Sequence, residues 1–206
     1  MKKFLVVGNP IDHSLSPALH NYWIKSNAID AIYEKQKLNE DELEQLILQI
    51  KEKKINGVNV TVPFKKVIIP FLDELSIEAE STQSVNTIYL KDDKVVGHNT
   101  DIIGFETSIE KSKFNVFNKE VLILGAGGVV PSIIFAIHKM GGRKISVMNR
   151  TRRKAENLKN LFKEIFVLDW GEIPNCDMII NATSVGLKKE DKINLDFSKI
   201  SKNKLF

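Results

Sequence analysis

Hydrophobic and polar positions alternate along this chain in two rhythms, and the change between them marks its organisation. The first half mixes short apolar runs with helical stretches of uneven length. Residues 4–7 form an apolar run closed by Gly8-Asn9-Pro10, which predicts a strand. Ser16-Pro17 reads as a helix cap followed by proline at the first helical position, opening a helix to about Asn27. Residues 31–37 predict a second strand. Over 41–54, Leu43, Leu46, Ile47 and Ile50 keep the i, i+3, i+4, i+7 spacing of one buried helix face. Residues 57–62 predict a strand stopped by Pro63, and 65–72 and 77–81 short helical pieces. Residues 86–90 and 95–98 flank Lys91-Asp-Asp-Lys94, a turn sequence that predicts a hairpin.

Residues 101–113 read as a connecting helix, after which the rhythm becomes plain strand–helix alternation. Strands are predicted at 121–124, 144–148, 165–168 and 178–181, and helices at 128–140 and 151–162. Strands separated by helices of this length imply parallel βαβ units. A boundary near residues 100–115 therefore divides the chain into domains 1–101 and 102–206.

A length of 206 residues allows one large domain or two small ones. The 43% hydrophobic and 27% charged content is that of an ordinary globular protein, and no apolar run reaches membrane-spanning length. The net charge of +4 comes from scattered lysines, with one basic cluster at Arg150-Thr-Arg-Arg-Lys154. It forms no basic stripe with aromatic or helix-turn-helix context, so neither nucleic acid nor membrane is expected as a partner. A single cysteine, Cys176, excludes an intrachain disulfide and fits a reducing, cytoplasmic location, as a buried thiol. The opening Met1-Lys-Lys-Phe-Leu-Val-Val-Gly8 is too short in its apolar part for a signal peptide.

Two polar clusters end apolar runs, Asn59-Val-Thr-Val-Pro-Phe-Lys65 and His98-Asn-Thr-Asp101. They offer Lys65 and Asp101 as a proton-transfer pair, one protonated while the other is charged, acting as a coupled unit. Downstream, Val121-Leu-Ile-Leu-Gly-Ala-Gly-Gly128 runs a strand into a glycine turn and then a helix. Glycines let the backbone approach a dinucleotide pyrophosphate, and the helix N-terminus offers N–H groups to it. The third fingerprint position is Val130, and Pro131 falls in the helix's first turn, where its missing N–H costs little. The second strand of this half ends in Asn149-Arg-Thr-Arg-Arg153 where an NAD site has a carboxylate, so NADP is favoured over NAD. One or two of these arginines are expected to be only solvent-facing charge. A proton-transfer pair and a dinucleotide site together point to a dehydrogenase.

Seven stretches together resemble the shikimate dehydrogenase family. They are Gly8-Asn-Pro-Ile-Asp-His-Ser-Leu-Ser-Pro17, Asn59-Val-Thr-Val-Pro-Phe-Lys65, Val85-Asn-Thr87, Asn99-Thr-Asp-Ile-Ile-Gly104, Gly125-Ala-Gly-Gly128, Asn149-Arg-Thr151 and Asn181-Ala-Thr-Ser184. They follow the family's order and cover nearly the whole chain. The resemblance implies an α/β protein: an N-terminal α/β substrate domain followed by a Rossmann-like, doubly wound parallel-sheet NADP-binding domain. It implies reversible, NADPH-dependent reduction of 3-dehydroshikimate to shikimate, in aromatic amino-acid biosynthesis. Ser14 and Ser16 would hold the substrate carboxylate, which also suits the start of a helix. Thr61, Lys65, Asn86 and Asp101 would surround the hydroxyl groups, with Asn59 also at the substrate and Lys65 as acid/base. Gly125, Ala126, Gly127, Gly128, Val129, Asn149, Arg150, Thr151, Arg152, Arg153 and Thr183 would hold the cofactor. No metal is implied, and a monomer or homodimer is expected.

There are departures from the family's pattern. Gln83-Ser84 stands where Gly-Ala is usual, and Ile77 replaces a polar, often acidic residue near the cofactor. The final Lys204-Leu-Phe206 reads as the start of a further strand, so the sequence is expected to be incomplete. The family's last Rossmann strand, its returning helices and a substrate-binding glutamine have no counterpart before Phe206. His13 is expected to be structural rather than catalytic. The alternatives are a quinate/shikimate dehydrogenase of relaxed specificity and a non-catalytic ligand sensor on the same scaffold.

Overall fold

The computed structural model describes residues 1–186, 190–198 and 200, in two compact units, Met1–Thr100 and Asp101–Phe206. The predicted strand start at 204–206 lies outside the described residues.

The first unit contains β1 (Lys2–Gly8), α1 (Ser16–Ser26), β2 (Ala31–Lys37), α2 (Leu43–Lys51) and β3 (Gly57–Val60). There follow α3 (Phe64–Val67), β4 (Glu74–Leu75), α4 (Ile77–Thr82), β5 (Thr87–Lys91) and β6 (Lys94–His98). Its six strands form one mixed sheet in the order β2-β1-β3-β5-β6-β4. β1 runs parallel to β2 and β3, while β3–β5 and β5–β6 are antiparallel. Alternation along β1 serves both faces of this sheet. Leu5 and Val7 join the larger core with Leu43, Leu46, Ile47 and Ile50 of α2, whereas Val6 packs with Ile11 and Tyr33 on the other face.

Several boundaries differ from the expected ones. Ser16 is the first helical residue of α1, not its cap; Leu15 occupies the cap position, and Ser14 Oγ accepts the Ser16 N–H at 3.3 Å. Pro17 then lies one residue further into the first turn, where no intrahelical N–H is needed. The 41–54 helix is a 3-10 turn at Glu40–Glu42 followed by α2, which stops at Lys51. Lys53 turns left-handed at φ 60° and the Lys54 N–H returns to Gln49 O, closing the helix end. The third strand stops at Val60, two residues short. β4 is a two-residue edge strand, too short to show a period in the sequence. The β5–β6 turn places Asp92 and Asp93 at φ 50° and 57°, as a tight hairpin requires.

The second unit contains α5 (Asp101–Ser112), β7 (Glu120–Leu124), α6 (Val130–Lys139), β8 (Lys144–Met148), α7 (Arg152–Asn157), β9 (Phe166–Leu168) and β10 (Met178–Asn181). Among its described residues four strands run parallel to one another, in the order β10-β7-β8-β9. The chain steps outward from β7 to β9 and then crosses back to β10, which makes a switch point between β7 and β10. α6 begins at Val130 rather than at 128, because the glycines close a turn in which the Val130 N–H bonds Gly127 O at 3.0 Å. The helix expected over 151–162 is α7 plus a 3-10 turn at Leu158–Asn160.

Candidate functional site

In open parallel sheets, ligands bind beyond the carboxyl ends of the strands at a switch point. Here that edge carries a cavity of about 320 Å³. Its walls are Gly125, Ala126 and Gly127 after β7, Asn149, Arg150, Thr151 and Lys154 after β8, Trp170 after β9, and Ala182, Thr183, Ser184 and Val185 after β10. Gly125 sits at φ 115°, and its N–H bonds Met148 O at 2.7 Å, tying the turn to the end of β8. A Cβ there would lie 2.7 Å from Ala182 O, so no other residue fits. At Gly127 an added Cβ would meet nothing within 4 Å. The backbone there borders open space, as a phosphate approaching the main chain requires.

The charged wall of the cavity is Arg150 and Lys154, with no carboxylate among its described lining residues. Asn149, the residue after β8, donates from Nδ2 to Thr151 O at 2.8 Å. Thr183 is held by Asn181, whose Oδ1 accepts from the Thr183 N–H at 3.0 Å and hydroxyl at 2.7 Å. These features fit an anionic dinucleotide carrying an extra phosphate on its ribose. Gly128, Val129, Arg152 and Arg153 do not line the cavity. Arg152 donates from Nε to Glu156 at 2.8 Å and from Nη1 to Asp169, and hydrogen bonds to Glu156 and then Asp169 raise its pKa further.

The expected substrate residues of the first unit converge around the ends of β1, β3 and β5. The Thr61 N–H bonds Val7 O at 2.9 Å, and Gly8 leaves room for Thr61, since a Cβ would come within 2.6 Å of Thr61 Cγ2. Lys65 lies in α3, and its carbonyl accepts the Val85 N–H at 2.7 Å. The next residue, Asn86, is buried. Its Oδ1 accepts the Thr100 N–H at 3.0 Å, and its Nδ2 donates to Thr100 Oγ1 at 3.0 Å. Asn99 is anchored as firmly, with Nδ2 donating to Thr82 Oγ1 and Ser84 O. Thr100 leads directly into Asp101, the first residue of α5.

Asn59 is occupied within the fold. Its Oδ1 accepts the Tyr33 hydroxyl at 2.6 Å, and its Nδ2 donates to Asn86 O and Thr87 Oγ1. Its amide ties β3 to β2 and β5. Ile77 is an exposed first residue of α4, and His13 is exposed. Five cavity residues were not among those expected at the cofactor: Lys154, Trp170, and Ala182, Ser184 and Val185, which flank the expected Thr183. Lys154 lies within the basic cluster, in the first turn of α7. Trp170 is an aromatic just past the end of β9, on the edge where parallel sheets bind ligands. Among the described residues no helix is long and apolar enough to cross a membrane, and no group of three or more His, Cys, Asp or Glu is placed to hold a metal.

Two family descriptions match the chain: "Shikimate dehydrogenase substrate binding domain" over residues 6–88 and "Shikimate / quinate 5-dehydrogenase" over 108–190. An NADP(+) shikimate dehydrogenase of Pelagibacter ubique is 62% identical over 205 residues, spanning 100% of this chain and 77% of that protein. The crystal structure of shikimate dehydrogenase from Aquifex aeolicus superposes with a TM-score of 0.91 at 38% identity, covering 100% of this chain and 77% of that one. The Thermus thermophilus enzyme, solved in complex with NADP(H) and shikimate, gives 0.82 at 31% identity, covering 91% of this chain and 70% of that one.

Proposed function

The chain belongs to the shikimate dehydrogenase family, an NADP-dependent oxidoreductase family, and from that premise we propose that it interconverts 3-dehydroshikimate and shikimate. Reducing the ketone needs a hydride on carbon and a proton on oxygen; NADPH, when bound, supplies the hydride. The Lys65 ammonium delivers the proton to the developing alkoxide, and Asp101 acts with it as the other half of the proton-transfer pair. Thr61 and Asn86 position the substrate hydroxyls. Ser14 and Ser16, at the start of α1, hold the carboxylate, where helix-end N–H groups and dipole favour an anion. Arg150 and Lys154 provide the positive wall that an NADP ribose phosphate needs and an NAD ribose does not. A single cysteine supports a cytoplasmic location.

The observation that supports the reading lies within the first unit: the Lys65 carbonyl accepts the Val85 N–H, and the neighbouring Asn86 holds Thr100 with both ends of its amide. The test is NADPH oxidation with 3-dehydroshikimate. Lys65→Ala is expected to lower kcat by about 10²- to 10⁴-fold, the usual worth of a positioned proton donor, while leaving NADP binding unchanged by calorimetry. Undiminished turnover would remove Lys65 from the mechanism. Shikimate binding without turnover in the wild type would favour a ligand sensor. Comparable rates with quinate would favour the relaxed-specificity dehydrogenase.

A further inference from the structure

Trp170 lines the glycine-turn cavity, and nothing in the chemistry described so far uses it. β9 pairs in parallel with β8, so the residues after Leu168 emerge on the same sheet edge as Asn149 and Arg150. Trp170 is 40% exposed and lines the cavity beside Arg150 and Lys154. A large aromatic left that open is apolar surface in want of a partner.

The turn that carries it is held from four directions. The Gly171 N–H points at Met148 Sδ at 3.2 Å, and Gly171 takes φ 100°. The Glu172 N–H bonds Asp169 O at 3.0 Å, while the Asp169 N–H bonds the Glu172 carboxylate at 3.2 Å. Arg152 grips the Asp169 carboxylate from α7, its other edge held by Glu156. The basic cluster therefore divides its labour. Arg150 and Lys154 face the cavity, and Arg152 is committed to two carboxylates outside it.

We propose that Trp170 is an adenine-contacting residue of the cofactor site, an indole wall for the purine ring, and that Arg152 is a positioning residue that braces its turn. An aromatic face suits any nucleobase, and a cationic wall beside it suits the phosphate on the same nucleoside. Both roles rest on the cofactor's nucleotide end occupying this cavity.

The chain has two tryptophans, Trp23 in α1 and Trp170, so Trp23→Phe leaves Trp170 as the single reporter. The probe is adenosine 2′,5′-bisphosphate, which carries the adenine and the ribose phosphate without nicotinamide. Its titration into the Trp23→Phe protein is expected to change indole emission saturably. By calorimetry, Trp170→Ala is expected to weaken the probe about 5- to 100-fold, the range of one base–aromatic stack, and Trp170→Phe to restore most of the loss. Arg152→Ala is expected to lower the ligand-free anisotropy of Trp170, with Arg152→Lys restoring part of it. A brace that is merely structural elsewhere would leave that anisotropy unmoved. Arg150→Ala separates the two levels of failure. If it abolishes probe binding while Trp170→Ala binds normally and the indole stays silent, the site stands and the adenine wall is overturned. If neither change affects binding, the cavity is not the cofactor's and both roles fall. Unchanged anisotropy in Arg152→Ala overturns the brace.

Discussion

Gln83 ends α4 at φ 47° and ψ 43°, a left-handed backbone that glycine adopts at least cost. The family resemblance leads one to expect glycine here; the Gln83 side chain adds a bond of its own, Nε2 donating to Glu80 O at 2.8 Å, a helix-end carbonyl that also accepts the Gln83 N–H. Asn59, expected at the substrate, also bonds within the fold, its amide meeting Tyr33, Asn86 and Thr87. Tyr33 itself is 4% exposed, with the His20 ring stacked on it at 4.1 Å. Burial pushes its phenol from 10.0 up to about 12. An unfolded tyrosine ionises near 10 and the folded one resists, so the folded state loses stability as pH rises from 10 towards 12 and is unaffected by this group below 10. Ultraviolet difference titration of wild type against Tyr33→Phe is expected to show a phenol missing near pH 12. A missing group near pH 10 would contradict its burial.

At the scale of elements, β7 shows how one apolar run organises a domain. Val121 and Ile123 point into the core shared with α6, while Leu122 and Leu124 point into the opposite one with Met148 and Ile179. Both faces are covered, which is why the run shows no polar alternation. α5 is fastened to α6 by an ion pair in which Glu106, 7% exposed, meets Lys139 Nζ at 3.0 Å. Among the described residues Glu106 Oε1 has no hydrogen-bond partner, so this carboxylate depends on Lys139. Lys139→Ala is expected to destabilise the protein by about 1–3 kcal/mol, because it strands a buried carboxylate. Glu106→Gln is expected to cost less, since a neutral amide is cheaper to bury. Urea unfolding of both variants decides the matter, and a larger loss from Glu106→Gln would refute this account of the pair.

On the scale of the molecule, each unit encloses its own apolar clusters, with Leu43, Ile50 and Ile88 at the heart of the first and Ile123, Ile134 and Ile137 of the second. A ligand bound in the glycine-turn cavity stabilises the unit that forms it, by about 2.7 kcal/mol at a hundredfold excess over Kd. Saturating NADP+ is therefore expected to slow hydrogen exchange in β7 and β8 more than in β1 and β3. Equal protection in both units would show that they unfold as one. The sequence alone determined most strands and helices, the glycine turn, the basic segment after β8 and the resemblance that names the family, because periodicity and motifs are properties of neighbours along the chain. It missed the edge strand β4 and misplaced helix ends, where two or three residues carry too little pattern. Only the tertiary structure decided that Arg152 is claimed by Asp169, seventeen positions away, that Trp170 lines the same cavity as Arg150, and that Asn59 meets the Tyr33 hydroxyl. Those outcomes depend on which distant partner arrives at a side chain, and no local pattern of residues records that.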